Sequence, residues 1–289
     1  MVTNLLAISS FNQLFQHLCF IRLNSLLFMQ NLFEYINCFF DKIFIITIPR
    51  ATERHQKINE HLKGLRYEFL YGVDGKELNQ EKLIADGVYS RKLAQQHHLW
   101  NQPMINGQIA CSWSHKKVYE LQVKEGYERV LILEDDVVAN KTGLDLFSKM
   151  TEELPAGWEL LYLDYHKRTD NNLLSRYRKA VYMIQHLSGR NNWTPSMIRN
   201  LYALPFSPHL KKAGYHEYTS AYALTLSAAK KLQRLQTPIS FIADNLLGYA
   251  VTNRIVEGYL CVPKLFEQES QQLGGNNYSY VTDSYDNGL

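Results

Sequence analysis

Three acidic residues in succession, Glu134-Asp135-Asp136, are the side chains of this 289-residue protein that most clearly permit chemistry. They directly follow Val130–Leu133, an apolar run typical of a buried strand in a parallel sheet. Ligands of such sheets bind at the carboxyl ends of strands, where carboxylates at positions i and i+2 can share a divalent cation. The triplet therefore indicates a cation site. A helix cap flanked by two solvated acids would give the same sequence.

Two basic residues, Arg50 and Arg54, come soon after another predicted strand, Ile43–Ile48. Guanidinium groups placed there can pair with phosphate oxygens, and an exposed position in solvent is equally compatible with the sequence. Basic residues are also frequent in the stretches Arg50–Lys63 and Lys167–Arg190. Either stretch would suit phosphates or an anionic membrane surface, although a solvated face is the plainer interpretation.

The elements that must position these residues alternate along the chain from Lys42 onward. Apolar runs predict strands, and apolar residues at helical spacing predict the helices between them. The predicted strands are 43–48, 67–73, 130–133, 158–163, 219–226 and 259–266, and the predicted helices are 52–63, 107–125, 144–154, 227–235 and 243–253. Residues 86–106 are predicted to be irregular, and 167–213 a long excursion. Repeated strand–helix units predict an α/β fold with a mostly parallel sheet flanked by helices.

Composition excludes several classes of protein. The 31 basic and 28 acidic residues give a net charge of +3, which is too small to indicate a nucleic-acid partner. The four cysteines lie far apart and form no CxxC pair, so reduced thiols and a cytoplasmic location are expected.

The first 40 residues are rich in Leu, Phe, Ile and Asn, and Arg22 is their only Lys or Arg. Polar residues interrupt them too often for a spanning helix, and no basic segment precedes an apolar core as in a signal peptide. Either translation begins at Met29, or this segment is an amphipathic helix on a membrane surface. The expected division is an extension outside the core, a catalytic domain and a polar tail: 1–41, 42–266 and 267–289.

Four blocks of sequence, in order along the chain, resemble glycosyltransferase family 25, which includes lipooligosaccharide and collagen galactosyltransferases. The blocks are Phe44–Arg50 with Glu53-Arg54, Gly72–Gly75, Gly107–His115 and Val130–Val137. A weaker fifth block, His216–Leu232, resembles the family's "His-x-Tyr … Gly-Ala-x-Lys-Leu" stretch. Thr47 departs from the Asn often found there, and Ala110 from a Gly. Residues 1–40 and most of 165–213 match nothing in the family, so the acceptor stays open.

The resemblance implies a GT-A-like, Rossmann-like fold in which the acidic motif holds Mn²⁺ or Mg²⁺ against the diphosphate of a UDP-sugar. The expected metal ligands are Glu134, Asp136 and, by its late position, His216, for which a core histidine is the alternative. An inverting transfer needs a base for the acceptor hydroxyl, and Asp244 at the start of a predicted helix is the candidate, or else a helix cap. Galactose transfer to a glycan or glycolipid such as lipopolysaccharide is implied, at the inner face of the membrane.

The resemblance also implies contacts to the nucleotide sugar from residues in the first three blocks and the triplet. These residues are Pro49, Arg50, Arg54, Asp74, Gly75, Ser114, His115 and Asp135. Asp74 before a glycine is equally typical of an Asx turn. Ser114 and His115 are equally typical of polar residues that make hydrogen bonds on the buried face of a helix.

Other classes of protein fit less well. A receiver domain would need a phospho-acceptor on another strand, but Asp164 follows Asp136 too soon, and Lys264 follows a proline instead of preceding one. It would also leave residues 43–128 without a role. Phosphatases with an Asp-x-Asp nucleophile carry it after the first strand, whereas Glu134 begins this motif in a later one. A transferase-like domain that binds a nucleotide or glycan without catalysis stays open.

Overall fold

A central sheet of eight strands organises the computed structural model of this protein, which describes residues 32–269. The strands follow the spatial order β2-β1-β3-β8-β5-β9-β7-β6, and β4 and β10 form a separate pair. Their bounds are β1 (Lys42–Thr47), β2 (Glu68–Tyr71), β3 (Arg129–Glu134), β4 (Val137–Ala139), β5 (Leu160–Tyr162), β6 (Leu204–Pro205), β7 (Leu210–Lys212), β8 (Ala221–Thr225), β9 (Gly258–Cys261) and β10 (Phe266–Gln268).

Most strands of the central sheet share one direction. β1 is parallel to both β2 and β3, and β5 is parallel to β9. β8 lies antiparallel between β3 and β5, and β7 lies antiparallel between β9 and β6. The sheet therefore runs in one direction except at β7 and β8. This agrees with the GT-A-like class, a mostly parallel sheet flanked by helices.

Helices cover both faces of the sheet. α1, α2 and α6 pack on one face, and α5, α9 and α10 on the other. Their bounds are α1 (Glu34–Phe39), α2 (Thr52–His61), α3 (Gln80–Ala85), α4 (Arg91–His97), α5 (Asn106–Glu125), α6 (Lys141–Glu153), α7 (Leu173–Leu187), α8 (Pro195–Arg199), α9 (Leu226–Leu235) and α10 (Ala243–Thr252), with a 3-10 turn at Gly75–Glu77. Within residues 32–269, no helix combines the length and hydropathy that a membrane crossing requires.

The side chains of the apolar run before the acidic triplet pack into the core on both faces of the sheet. Leu131 and Leu133 pack on the face covered by α1, α2 and α6, whereas Val130 and Ile132 pack on the opposite face. Successive side chains of a strand point to opposite faces, so a continuous apolar run is required when both faces are buried. Burial of each side chain contributes about 1.5–3 kcal/mol.

The prediction that residues 86–106 are irregular is wrong for part of this stretch, because α4 lies inside it. The Ser90 side chain accepts a hydrogen bond from the amide of Leu93 and caps this helix. Ala94 is its only fully buried residue, so a helix of two turns leaves no periodic apolar signal in the sequence. The excursion at 167–213 likewise contains α7, α8, β6 and β7.

The segment before β1 packs on the core. Phe33, Ile36 and Phe40 of α1 and its flanks are buried in the cluster that includes Phe147 of α6. The expected extension 1–41 therefore includes a packed helix, and the expected tail begins with residues of β10, which pairs with β4. Residues 1–31 and 270–289 lie outside the described residues, and the division into extension, domain and tail stays a prediction.

Gly143 in the first turn of α6 allows this helix to approach the segment before β10. A Cβ atom at this position would stand 2.0 Å from the carbonyl oxygen of Lys264. The contact is with backbone, so neither partner can relax by rotating a side chain.

We expect Gly143→Ala to lower the free energy of unfolding by about 1–3 kcal/mol, the usual cost of overpacking. The measurement is urea unfolding followed by circular dichroism. Gly157→Ala is the matched control, since a Cβ there meets nothing within 4 Å, and it should be neutral or slightly stabilising. Equal unfolding midpoints for the two variants would contradict the close approach of α6 to Lys264.

Candidate functional site

The acidic triplet lies at the carboxyl end of β3, in the tight connection to β4. The amide of Glu134 donates to the carbonyl of Ser220 at 2.8 Å, and the carbonyl of Asp136 accepts from the amide of Glu269 at 2.8 Å. The triplet is therefore held between the start of β8 and the end of β10. Since β8 is antiparallel, the residues that precede it reach the same edge of the sheet as the residues that follow β3.

Asp135 is held by donors from the first block of sequence. Thr47 Oγ1 donates to Oδ2 at 2.5 Å, and Arg54 Nη1 donates to Oδ1 at 2.6 Å. Asp135 is only 6% exposed, so this ion pair is well shielded from water. The structure thus places Asp135 and Arg54, both predicted to contact the nucleotide sugar, against each other.

Glu134 is oriented by two side chains from other elements. Thr219 Oγ1 donates to Oε1 at 2.6 Å, and Nε2 of His115 lies 3.3 Å from the same oxygen. Burial alone would raise the pKa of Glu134, but these contacts and the charge of Arg54 outweigh it and hold the pKa below its usual value. Glu134 is therefore an anion whose Oε1 is held by two side chains.

Asp136 differs from its two neighbours because no donor from another element is bound to its buried side-chain oxygen. Its Oδ1 is buried and has no hydrogen-bond partner within residues 32–269. Burial, with the nearby charge of Glu134, raises the pKa of Asp136 to about 7 in spite of Arg54. A buried polar atom without a protein partner is rare and calls for an ordered water, an ion or a ligand. A hard divalent cation fits an orphaned carboxylate oxygen two residues from a second carboxylate.

Cys111 lies beside this site and was missed by sequence reasoning. Its Sγ, a ring nitrogen of His115 and a carboxylate oxygen of Glu134 all lie within 4.8 Å of one another. Burial, and then the charges of Glu134, Asp244 and Asp136, raise the pKa of Cys111 well above its ordinary value. A sulfur atom is a soft ligand, whereas a hard divalent cation prefers oxygen, so the carboxylates of the triplet suit such a cation better. Its position one helical turn before His115 was the available signal.

The metal-ligand role predicted for His216 is contradicted by the structure. This side chain is fully buried, its Nε2 accepts from the amide of Gly214 at 3.0 Å, and its Nδ1 lies 3.0 Å from the carbonyl of Lys167. Burial lowers the pKa of His216 to about 4, so the ring is neutral. With both nitrogens bound to backbone, His216 is the core histidine of the alternative interpretation.

Asp244 lies in the first turn of α10 and faces the same region. It accepts backbone hydrogen bonds from Tyr218 and Asn245, and it is not the N-cap, which is Ile242. Burial above all, together with the charges of Glu217 and Glu134, raises the pKa of Asp244 to about 6. Asp244 is thus ionised at neutral pH and basic enough to accept a proton.

The loops after β1 and β2 meet beside the triplet. Arg50 Nε donates to Asp74 Oδ2 at 2.5 Å, and this hydrogen bond is the main reason that the pKa of Asp74 is lowered. Asp74 also accepts from the amide of Lys76, as an Asx turn would. Arg50 and the preceding Pro49 are exposed, so this rim is accessible to a ligand.

The start of α5 packs tightly against the turn after β2. Ser114 Oγ accepts from the amide of Val73 at 2.9 Å and donates to the carbonyl of Ala110 at 2.7 Å. A Cβ on Gly72 would stand 2.4 Å from Ser114 Oγ. A Cβ on Gly75 would stand 3.0 Å from the Cα of Gly107 in the same helix. Ser114 and Gly75 therefore act in packing.

A buried ion pair, also missed as a site feature, lies at the end of β5. Asp164 is fully buried, pairs with Lys264 Nζ at 2.8 Å and accepts from Ser220 Oγ at 2.5 Å. Burial raises the pKa of Asp164 even though Lys264 opposes that shift. Because the carbonyl of Ser220 binds the amide of Glu134, this pair supports the triplet from behind.

Comparison with known proteins gives the following similarities. Residues 40–247 match the family model described as Glycosyltransferase family 25 (LPS biosynthesis protein). The chain is 30% identical over 207 residues to a "Glycosyltransferase 25 family member" of Anopheles gambiae, covering 68% of this chain and 29% of that protein. It is 27% identical over 198 residues to the "Probable inactive glycosyltransferase 25 family member 3" of Bos taurus, covering 67% of this chain and 28% of that protein.

A third relative is the mouse "Procollagen galactosyltransferase 2", 26% identical over 198 residues, with 67% of this chain and 27% of that protein covered. The chain thus spans less than a third of the length of these relatives. Among solved structures, mouse xyloside xylosyltransferase 1 in its apo form aligns over 75% of this chain and 83% of that chain, with 11% identity and a TM-score of 0.34. Similarity at that level does not by itself establish a shared fold.

The contrast between neighbouring acids can be tested by the same substitution at both. At pH 8 and in EDTA, Asp135→Asn should lower the free energy of unfolding by about 3 kcal/mol, because it leaves Arg54 without its buried partner. Asp136→Asn should leave stability unchanged or raise it, since Asp136 is ionised above its pKa of about 7 and repels Glu134. Urea unfolding measures both, and equal destabilisation by the two substitutions would contradict the assignment.

Proposed function

The chain belongs to glycosyltransferase family 25, and from this membership and the acidic cluster we propose that it transfers a hexose from a nucleotide sugar to a glycan hydroxyl. The observation that carries the proposal is the buried Oδ1 of Asp136, which has no partner within the described chain and whose carboxylate feels the charge of nearby Glu134. Galactose is the proposed sugar and UDP the proposed nucleotide. One relative is named as a galactosyltransferase, which supports this choice.

Glu134 and Asp136 are the residues proposed to hold Mn²⁺ or Mg²⁺ near the diphosphate of the donor. When bound, such a cation would supply positive charge to stabilise the diphosphate leaving group. Thr219 and His115 fix the carboxylate of Glu134, so this ligand would need little reorganisation on binding. Arg54 neutralises Asp135 and thereby lowers the net negative charge of the triplet.

Asp244 is the proposed base of an inverting transfer. Asp244 accepts a hydrogen bond from the backbone amide of Tyr218. The φ angle of Tyr218 is +78°, a conformation that is uncommon outside glycine and frequent at functional sites. As the acceptor oxygen attacks the sugar carbon, Asp244 would take the hydroxyl proton. With a pKa of about 6, Asp244 is ionised at neutral pH. General-base catalysis is most efficient when the pKa of the base lies near the working pH, and this pKa meets that condition.

The proposed acceptor is a glycan or glycolipid of the kind assembled in lipopolysaccharide, in line with the description of the matching family. The free thiols of Cys111 and Cys261 are compatible with the reducing environment of the cytoplasm. A panel of nucleotide sugars, each with and without Mn²⁺, tests the donor directly. The true donor should raise the unfolding temperature most, and only with the cation present.

The second candidate function is a domain that binds a nucleotide sugar without catalysis. The name of the Bos taurus relative, which describes it as probably inactive, favours keeping this candidate. Slow Mn²⁺-dependent hydrolysis of the donor, measured by release of the nucleotide, discriminates between the two. Stabilisation by a donor with no hydrolysis and no transfer to any acceptor would favour the binding domain.

We expect Asp136→Asn to reduce sugar transfer by at least about a hundredfold, the scale seen when electrostatic stabilisation of a leaving group is lost. The substitution preserves size but removes the anionic oxygen proposed to bind the cation. Turnover and calorimetric donor affinity with Mn²⁺ are both measured. Asp145→Asn on the exposed face of α6 is the control and should behave like the native protein. Unchanged turnover and metal dependence in Asp136→Asn would place the cation elsewhere.

The base assignment predicts a specific pH dependence. Below pH 6, Asp244 becomes protonated, so kcat/KM should fall about tenfold per pH unit and should level off above pH 7. Asp244→Asn should still bind donor and Mn²⁺ but fail to transfer sugar to the acceptor. Residual transfer in Asp244→Asn that keeps the same acidic decline would assign the base to another group.

A further inference from the structure

Helix α7 carries a row of large apolar side chains that point away from the protein. Leu173, Tyr177, Ile184 and Leu187 are 81%, 68%, 67% and 79% exposed. Single exposed apolar residues are common on protein surfaces, but a contiguous row on one element marks an interaction site. The row was not visible in the sequence as a separate feature, because α7 lies in the predicted excursion.

The row occupies one side of the helix. At about 100° per residue, these four residues fall within an arc of roughly 80°. Ser175 and Tyr182 lie on the opposite side, where Ser175 is buried and Tyr182 packs against Trp193. The side of α7 that carries Ser175 and Tyr182 therefore packs on the protein, and the apolar row faces solvent.

The charged side chains that α7 itself carries are all basic. α7 contains Arg176, Arg178 and Lys179 and no Asp or Glu. Arg176 and Arg178 are both exposed. Arg176 lies next to the apolar row, whereas Arg178 lies about 140° from its centre, beyond Leu174, which is itself 54% exposed. A helix with an outward apolar row and basic flanks is the arrangement that binds in the headgroup layer of a bilayer, especially one with anionic lipids.

A second copy of the chain is a poorer occupant for this surface. Pairing of two such rows about a twofold axis is self-complementary, so it would bring the arginines of both copies together with no acidic residue on the helix to oppose them. Anionic headgroups supply the missing negative charge, and lipid tails accept the leucines and the isoleucine. Charge complementarity thus favours the membrane.

We propose that α7 docks this protein on a membrane that contains anionic phospholipids. The docking itself stands apart from catalysis, but its purpose, presentation of a lipid-anchored acceptor, rests on the proposed function. The segment leading into α7 supports that purpose. Lys167 and Arg168 bind Glu217, which neighbours Tyr218 and through it Asp244. The segment that leads into α7 is thus connected to the loop that donates to the candidate base.

The experiment is co-sedimentation of the full chain with vesicles of phosphatidylglycerol and phosphatidylcholine, or of phosphatidylcholine alone. The native protein should bind the anionic vesicles at least about tenfold more tightly than the neutral ones, and high salt should weaken binding. Ile184→Glu with Leu187→Glu, and separately Arg176→Ala with Arg178→Ala, should each weaken binding at least about tenfold. Leu204→Glu, on an exposed residue of β6, is the matched control and should bind like the native protein.

Thermal unfolding checks that each variant is folded, and Ile184→Ser with Leu187→Ser replaces the glutamate pair if that pair is not. Equal vesicle binding by native protein and α7 variants, or no binding by the native protein, would overturn the proposal. So would a native dimer in sedimentation that the α7 substitutions separate, because the row would then be an interface between copies. Donor hydrolysis in solution should be the same in all variants, which distinguishes failed docking from failure of the proposed catalytic site.

Discussion

Three consecutive carboxylates at the end of a buried strand repel one another, and the surrounding structure compensates this repulsion. Two unit charges about 4 Å apart repel by several kcal/mol at the effective dielectric constant of a protein surface. The three acids receive different compensation. Asp135 has an arginine and a threonine, Glu134 has a threonine and a histidine, and Asp136 has neither. Of the three acids, Asp136 therefore has the oxygen best suited to bind a cation, because no donor occupies it.

The compensating groups come from elements far apart in sequence. Thr47 and Arg54 flank the turn after β1, His115 comes from the middle of α5, and Thr219 precedes β8. Behind them, the buried pair of Asp164 and Lys264 joins the end of β5 to the segment before β10. The rigid sheet is therefore what sets the geometry of the charges, because each donor is attached to a strand end or to a helix packed on the strands.

The sequence predicted the parts of this arrangement that depend on local pattern. The run Val130–Leu133 predicted a central strand, and the ordered blocks predicted which segments gather at its end. It could not predict that β8 is antiparallel, which makes the residue before that strand, Thr219, a partner of Glu134. Nor could it distinguish a ligand from a core histidine at His216, since only the backbone groups around the ring decide that question.

The pairing of β3 with β8 has a consequence for the order of folding. Thr219 and Glu134 lie 85 residues apart in sequence, so the loop between them must close before the carboxylate is oriented. Contacts of such long range form late and slowly compared with helices, and the parallel pairing of β1 with β3, which sets Ile46 opposite Glu134, is of similarly long range. During refolding, the triplet would carry its repulsion without its full set of donors until β8 is inserted. The cation affinity proposed for this site would therefore be a property of the finished topology, because Glu134 gains its hydrogen bond from Thr219 only when β8 has paired with β3.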